Sequence, residues 1–306
     1  MSTIKISIMI PVYNRSDELR MSLESLSRQT LAKEYFEVLV ADDGSSEDIQ
    51  AVIKEFPQLQ SKYAAQADEG YRVAAARNLG TDMANGRIWV YNDNGMILRS
   101  DVLEKHLEHH EKSDGNLVAM GNMHATGWGT DEARVLAILD ENVPDYDKAI
   151  DIMSEEGIVD GRISYIFEKL GYDINSWYLP FVALWSGHFS VNADFVKQNG
   201  IRWSEEFKAW GCEDAEYGVQ LHEKAANFRF FPDIKTLHYP TKGSKAVNLS
   251  EEDKEEFKKN HIKNQGIALA LHPNNRKIQV WHEIGGGANY PEERKKFFEE
   301  KGWQEE

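Results

Sequence analysis

The chain has 306 residues, 41% of them apolar, and a formal net charge of −16. That is enough apolar material for one large domain or a domain with an elaborated second half, and the acid excess argues against nucleic acid or anionic lipid as a partner, since phosphates are gripped by clustered Lys and Arg. One cysteine, Cys212, excludes an internal disulfide; with no leader-like N-terminus and no apolar run near the roughly 18 residues of a membrane span, the expectation is a soluble, cytoplasmic protein without a transmembrane segment.

Ile4 to Val12 is a short, nearly continuous apolar run bounded by Pro11 and Asn14, the pattern of a strand buried on both faces. Asp17 to Thr30 repeats Leu19, Leu23 and Leu26 along one helical stripe, with Ser16 as its expected cap. Phe36 to Ala41 is a second buried strand, a helix from about Glu47 to Phe56 is stopped by Pro57, and Tyr63 to Ala67 is a weaker strand. Val73 to Ala84 is a helix closed by Asn85-Gly86, and Arg87 to Tyr91 a strand ending in Asn92-Asp93-Asn94-Gly95. This alternation predicts an α/β fold with a doubly wound, mostly parallel central sheet and helices on both faces.

Ser100 to His110 reads as a helix on which His106, His109 and His110 share a face. The spacing suits a metal, but the flanking Glu and Lys residues favour a solvated surface. Leu117 to Gly121 is a further strand. Residues 122–180 are mixed and Asp-rich, with helical patterning at Tyr146 to Met153 and Ile163 to Leu170, and read as an insertion covering an edge of the sheet. Val182 to Val191 is apolar around Ser186-Gly187-His188, and Asp194 to Asn199 is a short helix. Ala215 to Ala226 is helical, Phe228 to Phe231 is a strand stopped by Pro232, and Lys235 to Tyr239 is a last short strand carrying His238. Ser250 is placed to cap a charged helix from Glu251 to about Leu271. Beyond Pro273 the tail, with Gly285-Gly286-Gly287, reads as a loop or lid followed by a terminal helix near Pro291.

In open α/β sheets ligands lie outside the carboxyl ends of the strands. Tyr13-Asn14-Arg15, Asp42-Asp43-Gly44-Ser45 and Asn92-Asp93-Asn94 all fall at such ends, so they should converge on one edge, although each alone is ordinary turn chemistry. The densest chemistry is Ala209-Trp-Gly-Cys-Glu213-Asp214-Ala-Glu216. Crowded carboxylates raise one another's pKa and suit acid–base work. The plainer alternative has Glu213 and Asp214 complementing a helix dipole, with Glu216 solvated one turn along.

Taken in order, Ile8-Met-Ile-Pro-Val-Tyr-Asn-Arg15, Asp42-Asp43-Gly44-Ser45, Ala76-Arg77-Asn78-Leu79-Gly80 and Trp210-Gly-Cys-Glu-Asp-Ala-Glu216 resemble a family 2 type glycosyltransferase. The resemblance is to the branch with a Trp-Gly-x-Glu-Asp-x-Glu motif, which includes chondroitin-polymerase-like and galactosyltransferase-like enzymes. It implies the GT-A (nucleotide-diphospho-sugar transferase) fold over residues 1–245, divided into a nucleotide-binding half 1–121, the insertion 122–180 and an acceptor and catalytic half 181–245. A C-terminal helical extension with a lid would then occupy 246–306. It also implies inverting transfer of a sugar from a nucleotide-diphosphate donor, usually a UDP-sugar, to a glycan, lipid-linked or small-molecule acceptor.

By the same resemblance Asp43 meets the base with Asp42 behind it, and Pro11, Tyr13, Arg15, Asn92 and Asp93 stand around the nucleotide. Arg72 and Arg77 either meet phosphate or pin an Asp of the second strand. Asp214 is the general base, Glu213 orients acceptor hydroxyls, and Trp210 stacks on a sugar face. The resembled enzymes hold a divalent cation, Mn²⁺ or Mg²⁺, on an Asp-x-Asp motif, often with a later His. Here that place reads Asn92-Asp93-Asn94, and amide oxygens carry no charge. Three readings stay open: Asp93 is the ligand with Asn94 and His238 assisting; Arg or Lys side chains replace the metal; or the protein binds sugar nucleotides without catalysis. A cysteine nucleophile is disfavoured because the acids beside Cys212 raise its pKa. A nicotinamide dehydrogenase is disfavoured because Pro-Val-Tyr-Asn-Arg follows the first strand where a Gly-rich turn is required.

Overall fold

The computed structural model describes residues 3–124, 131–239 and 251–286, together with 293, 299 and 300. Its first half is built from parallel strands. β1 (Ile6–Val12), β2 (Phe36–Asp42), β3 (Ser61–Ala65) and β4 (Ile88–Asn92) alternate with α1 (Ser16–Ser27), α2 (Ile49–Lys54) and α3 (Val73–Asp82). Every position of β1, β2 and β4 is buried. That is why these segments are continuous apolar runs rather than alternating ones.

The second half is interleaved. It comprises β5 (Met96–Leu98), α4 (Val102–Glu111), β6 (Leu117–His124), α5 (Glu132–Asn142), α6 (Tyr146–Glu155) and α7 (Gly161–Leu170), then β7 (His188–Asn192), α8 (Ala193–Gln198), α9 (Glu213–Glu223), β8 (Asn227–His238), α10 (Glu251–Leu271) and α11 (Arg276–Glu283). The strands form one sheet in the order β3-β2-β1-β4-β7-β6-β8-β5. β7 runs antiparallel between β4 and β6, β8 is parallel to β6, and β5 is antiparallel to β8. The chain order reverses between β1 and β4, so a crevice opens outside their carboxyl ends. Among the described residues no helix is long and apolar enough to cross a membrane.

Apolar clusters cover both faces: Ile8, Ile10, Val38 and Val40 pack with Leu19 and Leu23 on one, and Met9, Leu39 and Trp89 share the other with Phe189, Tyr217 and Trp281. A third cluster joins Val135, Ile138, Ile150 and Met153 of α5 and α6 to Ile97 of β5 and Leu237 of β8, so this part of the 122–180 segment does lie over the sheet edge.

Several local expectations change. Ser16 does not cap α1. Asn14 and Arg15 both have positive φ, and the Arg15 and Ser16 N–H groups donate across the chain to the Glu47 carboxylate at 3.1 and 2.8 Å. β3 lies at Ser61–Ala65, slightly before the expected 63–67. The two short strands flanking Pro232 are one strand: Phe231 pairs with Gly121 and Lys235 with Asn122, so Pro232 to Ile234 form a bulge in which proline loses no ladder bond. Gly121 permits it, because a Cβ there would lie 2.3 Å from the Ile234 carbonyl oxygen. The stretch after Pro273 is not only loop: Asn275 caps α11, whose Ile278, Val280 and Trp281 are buried in the main core. Ser250 and Pro291, the expected starts of two helices, lie outside the described residues, as does Gly287.

Candidate active site

Two groups of polar residues meet at this edge. At the ends of β1 and β2, Asp42 is buried and accepts hydrogen bonds from the Ser45 N–H (2.8 Å), the Ser45 hydroxyl (2.6 Å) and the Tyr63 hydroxyl (2.7 Å), which makes it the anchor of the turn. Asp43 is also buried and accepts from the Arg72 N–H at 2.9 Å and from the Gln66 amide. Burial raises its pKa, and those donors oppose the rise. Gly44 allows the turn to close: its φ is +87°, and a Cβ there would lie 2.4 Å from the Asp68 nitrogen. Tyr13 stands exposed with its hydroxyl 3.1 Å from Asp68, above buried Pro11. The Arg72 guanidinium pairs with Glu69 at 2.6 Å, and Arg15 reaches Glu18 at 3.2 Å.

The second group surrounds a cavity of about 390 Å³ that is lined by Asp93, Ser186, Trp210, Glu213, Asp214 and His238, with Met96, Met123 and Trp281 among its apolar walls. Asp43 and Tyr13 are not part of that wall. Arg77 organises the cavity from beneath. It is 2% exposed, lies over the Trp203 ring at 4.5 Å, and donates from Nη2 to Asp93 at 2.9 Å and from Nη1 to Glu213 at 3.1 Å. It pins the carboxylate at the end of β4 and one on α9, not an Asp of the second strand. Its neighbour Asn78 donates to the Trp203 carbonyl and the Glu205 carboxylate, both at 2.9 Å.

Cys212 and Gly211 turn the chain into α9 with φ of 73° and 98°. The acids then fall in the first turn, where the helix dipole favours negative charge. Glu213 is buried; burial and the Asp214 charge raise its pKa, and Arg77 opposes the rise. Its Oε1 takes the Arg77 bond, while Oε2 is buried with no hydrogen-bond partner among the described residues. Asp214 is half-buried on the cavity wall, its Oδ1 accepting from the Ala215 N–H at 2.8 Å. Trp210 is 54% exposed beside it. Glu216 is not solvated: it is buried, and accepts from Gln220 and from His272, just past the end of α10. The Cys212 thiol is held protonated, its pKa raised by burial and then by Asp214 and Glu213.

Of the Asn-Asp-Asn stretch, only Asp93 lines the cavity. Asn92 is fully buried and its amide oxygen accepts from His188 Nδ1 at 2.8 Å, so it lies under the site. Asn94 donates to the Arg15 carbonyl at 3.1 Å, and its Oδ1 is buried without a hydrogen-bond partner among the described residues. His238, at the end of β8, faces the same cavity as Asp93. The helix-face histidines are mostly inward, not solvated: His106 meets His188 at 2.8 Å and Ser190 at 2.7 Å, His110 meets Ser190 at 2.7 Å, and His109 pairs with Asp233. Burial holds His106, His110 and His188 neutral, lowering the His110 pKa to about 4 and that of His188 to about 3. Among the described residues no three His, Cys, Asp or Glu side chains stand ready to hold a metal.

Some site residues carry no legible signal. Tyr71 precedes Arg72, and its hydroxyl pKa is raised by burial and by the charges on Glu213, Asp93 and Asp214. Ser186 donates to Asp93 Oδ2 at 3.3 Å. His261 of α10 and Trp281 of α11 line the cavity from segments that read only as a charged helix and a tail.

The sequence profile described as Glycosyl transferase family 2 matches residues 7–168, more than half of the chain. The chain belongs to glycosyl transferase family 2. This family 2 chain is 30% identical over 219 residues to the validoxylamine A glucosyltransferase of Streptomyces hygroscopicus subsp. jinggangensis (strain 5008), covering 71% of itself and 51% of that protein. It is 28% identical over 262 residues to the chondroitin synthase of Pasteurella multocida (strain Pm70), covering 78% of itself and 25% of that enzyme. It thus spans about half the length of the first relative and a quarter of the second. The crystal structure of S. aureus TarS 1-349 in complex with UDP superposes with a TM-score of 0.61 at 18% identity, over 97% of this chain and 75% of that one. The fold is of the GT-A type.

Proposed function

We propose that this family 2 member is an inverting glycosyltransferase that moves a sugar from a UDP-sugar to an acceptor hydroxyl, with Asp214 as general base. The observation that carries the reading is the meeting of Asp93, His238, Trp210, Glu213 and Asp214 on one cavity, with Asp93 and Glu213 held by a single buried guanidinium. The UDP in the TarS structure supports uracil as the base. Asp43, Tyr13 and Pro11 at the neighbouring strand ends offer a carboxylate and flat surfaces for it.

In this reading the acceptor hydroxyl gives its proton to Asp214 as its oxygen attacks the anomeric carbon opposite the diphosphate; the bond to the diphosphate breaks, and UDP leaves with the electron pair. Asp214 suits the base role better than Glu213, which is committed to Arg77 through Oε1. Glu213 Oε2, which has no hydrogen-bond partner among the described residues, would take a second acceptor hydroxyl as its donor. Trp210 presents an exposed ring to the C–H face of a sugar.

Asp93 and His238, which share the cavity wall, are the residues that would hold Mn²⁺ or Mg²⁺, while Asn94 lies off that wall. Bound there, the ion supplies positive charge for the departing diphosphate. One carboxylate and one imidazole form a thinner donor set than two carboxylates and a histidine, so the metal alone should bind weakly. Binding of sugar nucleotides without transfer is the second reading, and Asn92 and Asn94 are its support.

Thermal denaturation with UDP, GDP and a panel of their sugars, with and without Mn²⁺, tests the proposal, since a ligand bound only to the folded state raises the midpoint. UDP should raise it more than GDP, Mn²⁺ should add to the UDP shift, and His238→Ala should remove that addition. A larger shift with GDP, or none with either nucleotide, would overturn the donor assignment.

A further inference from the structure

Three consecutive carbonyls of the loop carrying Trp210 converge on one buried amide. Asn264, on α10, is fully buried, and its Nδ2 lies 3.0 Å from the Ala209 oxygen, 3.2 Å from that of Trp210 and 2.7 Å from that of Gly211. Carbonyl oxygens accept and cannot donate, so only the NH₂ side of the amide can face them. The loop has reason to need such a hold. Its next turn is made by Gly211 and Cys212 in succession at positive φ, and Cys212 gives α9 no side-chain cap. Inward-facing carbonyls require partners, and here the partner comes from more than fifty residues downstream. The same helix brings His261 to the cavity wall, with Nδ1 3.4 Å from Cys212 Sγ.

We propose that Asn264 is a positioning residue for acceptor recognition. By gripping the 209–211 carbonyls it sets how the Trp210 ring is presented to the incoming sugar, which makes α10 part of the acceptor site although it lies outside the matched 7–168 segment. The proposal rests on Trp210 being an acceptor contact, as read above.

The test compares Asn264→Ala and Asn264→Asp, the second keeping the shape while removing the N–H donors. Each is made with Trp210 and with Trp210→Phe, so that the difference isolates the Trp210 fluorescence. Acrylamide quenching of that component should change by about twofold or more in both variants, while UDP affinity holds within about twofold. With p-nitrophenyl hexosides as acceptors and UDP release as the readout, KM should rise by about tenfold with kcat little changed, and Asn264→Ala should add nothing in a Trp210→Ala background. An unchanged Trp210 signal, an undiminished effect without Trp210, or a parallel fall in UDP affinity would each overturn it. If the native chain releases no UDP from any UDP-sugar, the transferase reading fails, whereas the Trp210 signal still decides whether Asn264 sets the loop.

Discussion

Asp43 and Asp214 both stand at the carboxyl edge of the sheet, but chain segments of very different separation hold their surroundings in place. Asp43 is held by Gln66 and Arg72, 23 and 29 residues away, within one run of strand and helix repeats. Beside Asp214, Glu213 depends on Arg77, 136 residues away, and the preceding loop depends on Asn264, 53 to 55 residues further on. The surroundings of Asp43 are thus locally self-supporting, while those of Asp214 are assembled from three distant parts of the chain. Local changes should therefore stay local around the first and spread around the second.

Arg77 joins the end of β4 to the first turn of α9, and its loss should do the most damage. Arg77→Met leaves Asp93 and Glu213 without their shared cation in a buried setting, at a cost of about 3–5 kcal/mol. Urea denaturation should show this, and both UDP binding and turnover should fall. A variant of near-native stability would mean that Asp93 and Glu213 do not depend on this residue. Gly44→Ala should cost less, about 1–3 kcal/mol, because Cβ meets the Asp68 backbone at a positive φ. Its effect should be confined to the Asp43 turn: if that turn holds the nucleotide as proposed, calorimetry should show UDP affinity falling by about tenfold, with Trp210 fluorescence unchanged.

A smaller effect is expected where α10 meets α9. Burial disfavours the His272 imidazolium, but Glu216 and Glu223, 2.9 and 3.1 Å away, more than offset this and raise its pKa above the ordinary 6.5. A raised folded pKa stabilises fully below the unfolded value, and the gain disappears as pH rises through the folded value. His272→Asn should accordingly cost about 1 kcal/mol below about pH 6, with the gap to the native protein closing in alkali. A pH-independent gap in thermal denaturation would contradict the bridge. Smallest of all, Cys212→Ser should keep turnover within about twofold, since a thiol whose pKa is raised by burial and acidic neighbours is no nucleophile.

The same contrast separates what is legible in the sequence from what is not. β1, β2 and β4 announce themselves because strands buried on both faces must be apolar at every position, and their polar ends follow directly. β5 is three residues long and α11 only eight, so neither rises above its surroundings. Pro232 reads as a strand end because its bulge depends on Gly121, more than a hundred residues earlier. The His106 and His110 face reads as solvated because helical spacing shows which residues share a face but not which way the face points, and Ser190 and His188 lie on another strand. Of the site, Asp93, Glu213, Asp214, Trp210 and His238 are legible through their motifs. Arg77 is legible as a cation but not as the bridge it forms, and Asn264 and His261 are not legible at all, since only tertiary contact brings them there.

The most direct test is UDP release by Asp214→Asn, measured beside UDP affinity in the same preparation. If one half-buried carboxylate takes the acceptor's proton, release should fall by about 10²-fold or more with UDP affinity unchanged. Native turnover in the variant would remove Asp214 from the reaction and leave the shared cavity without its base.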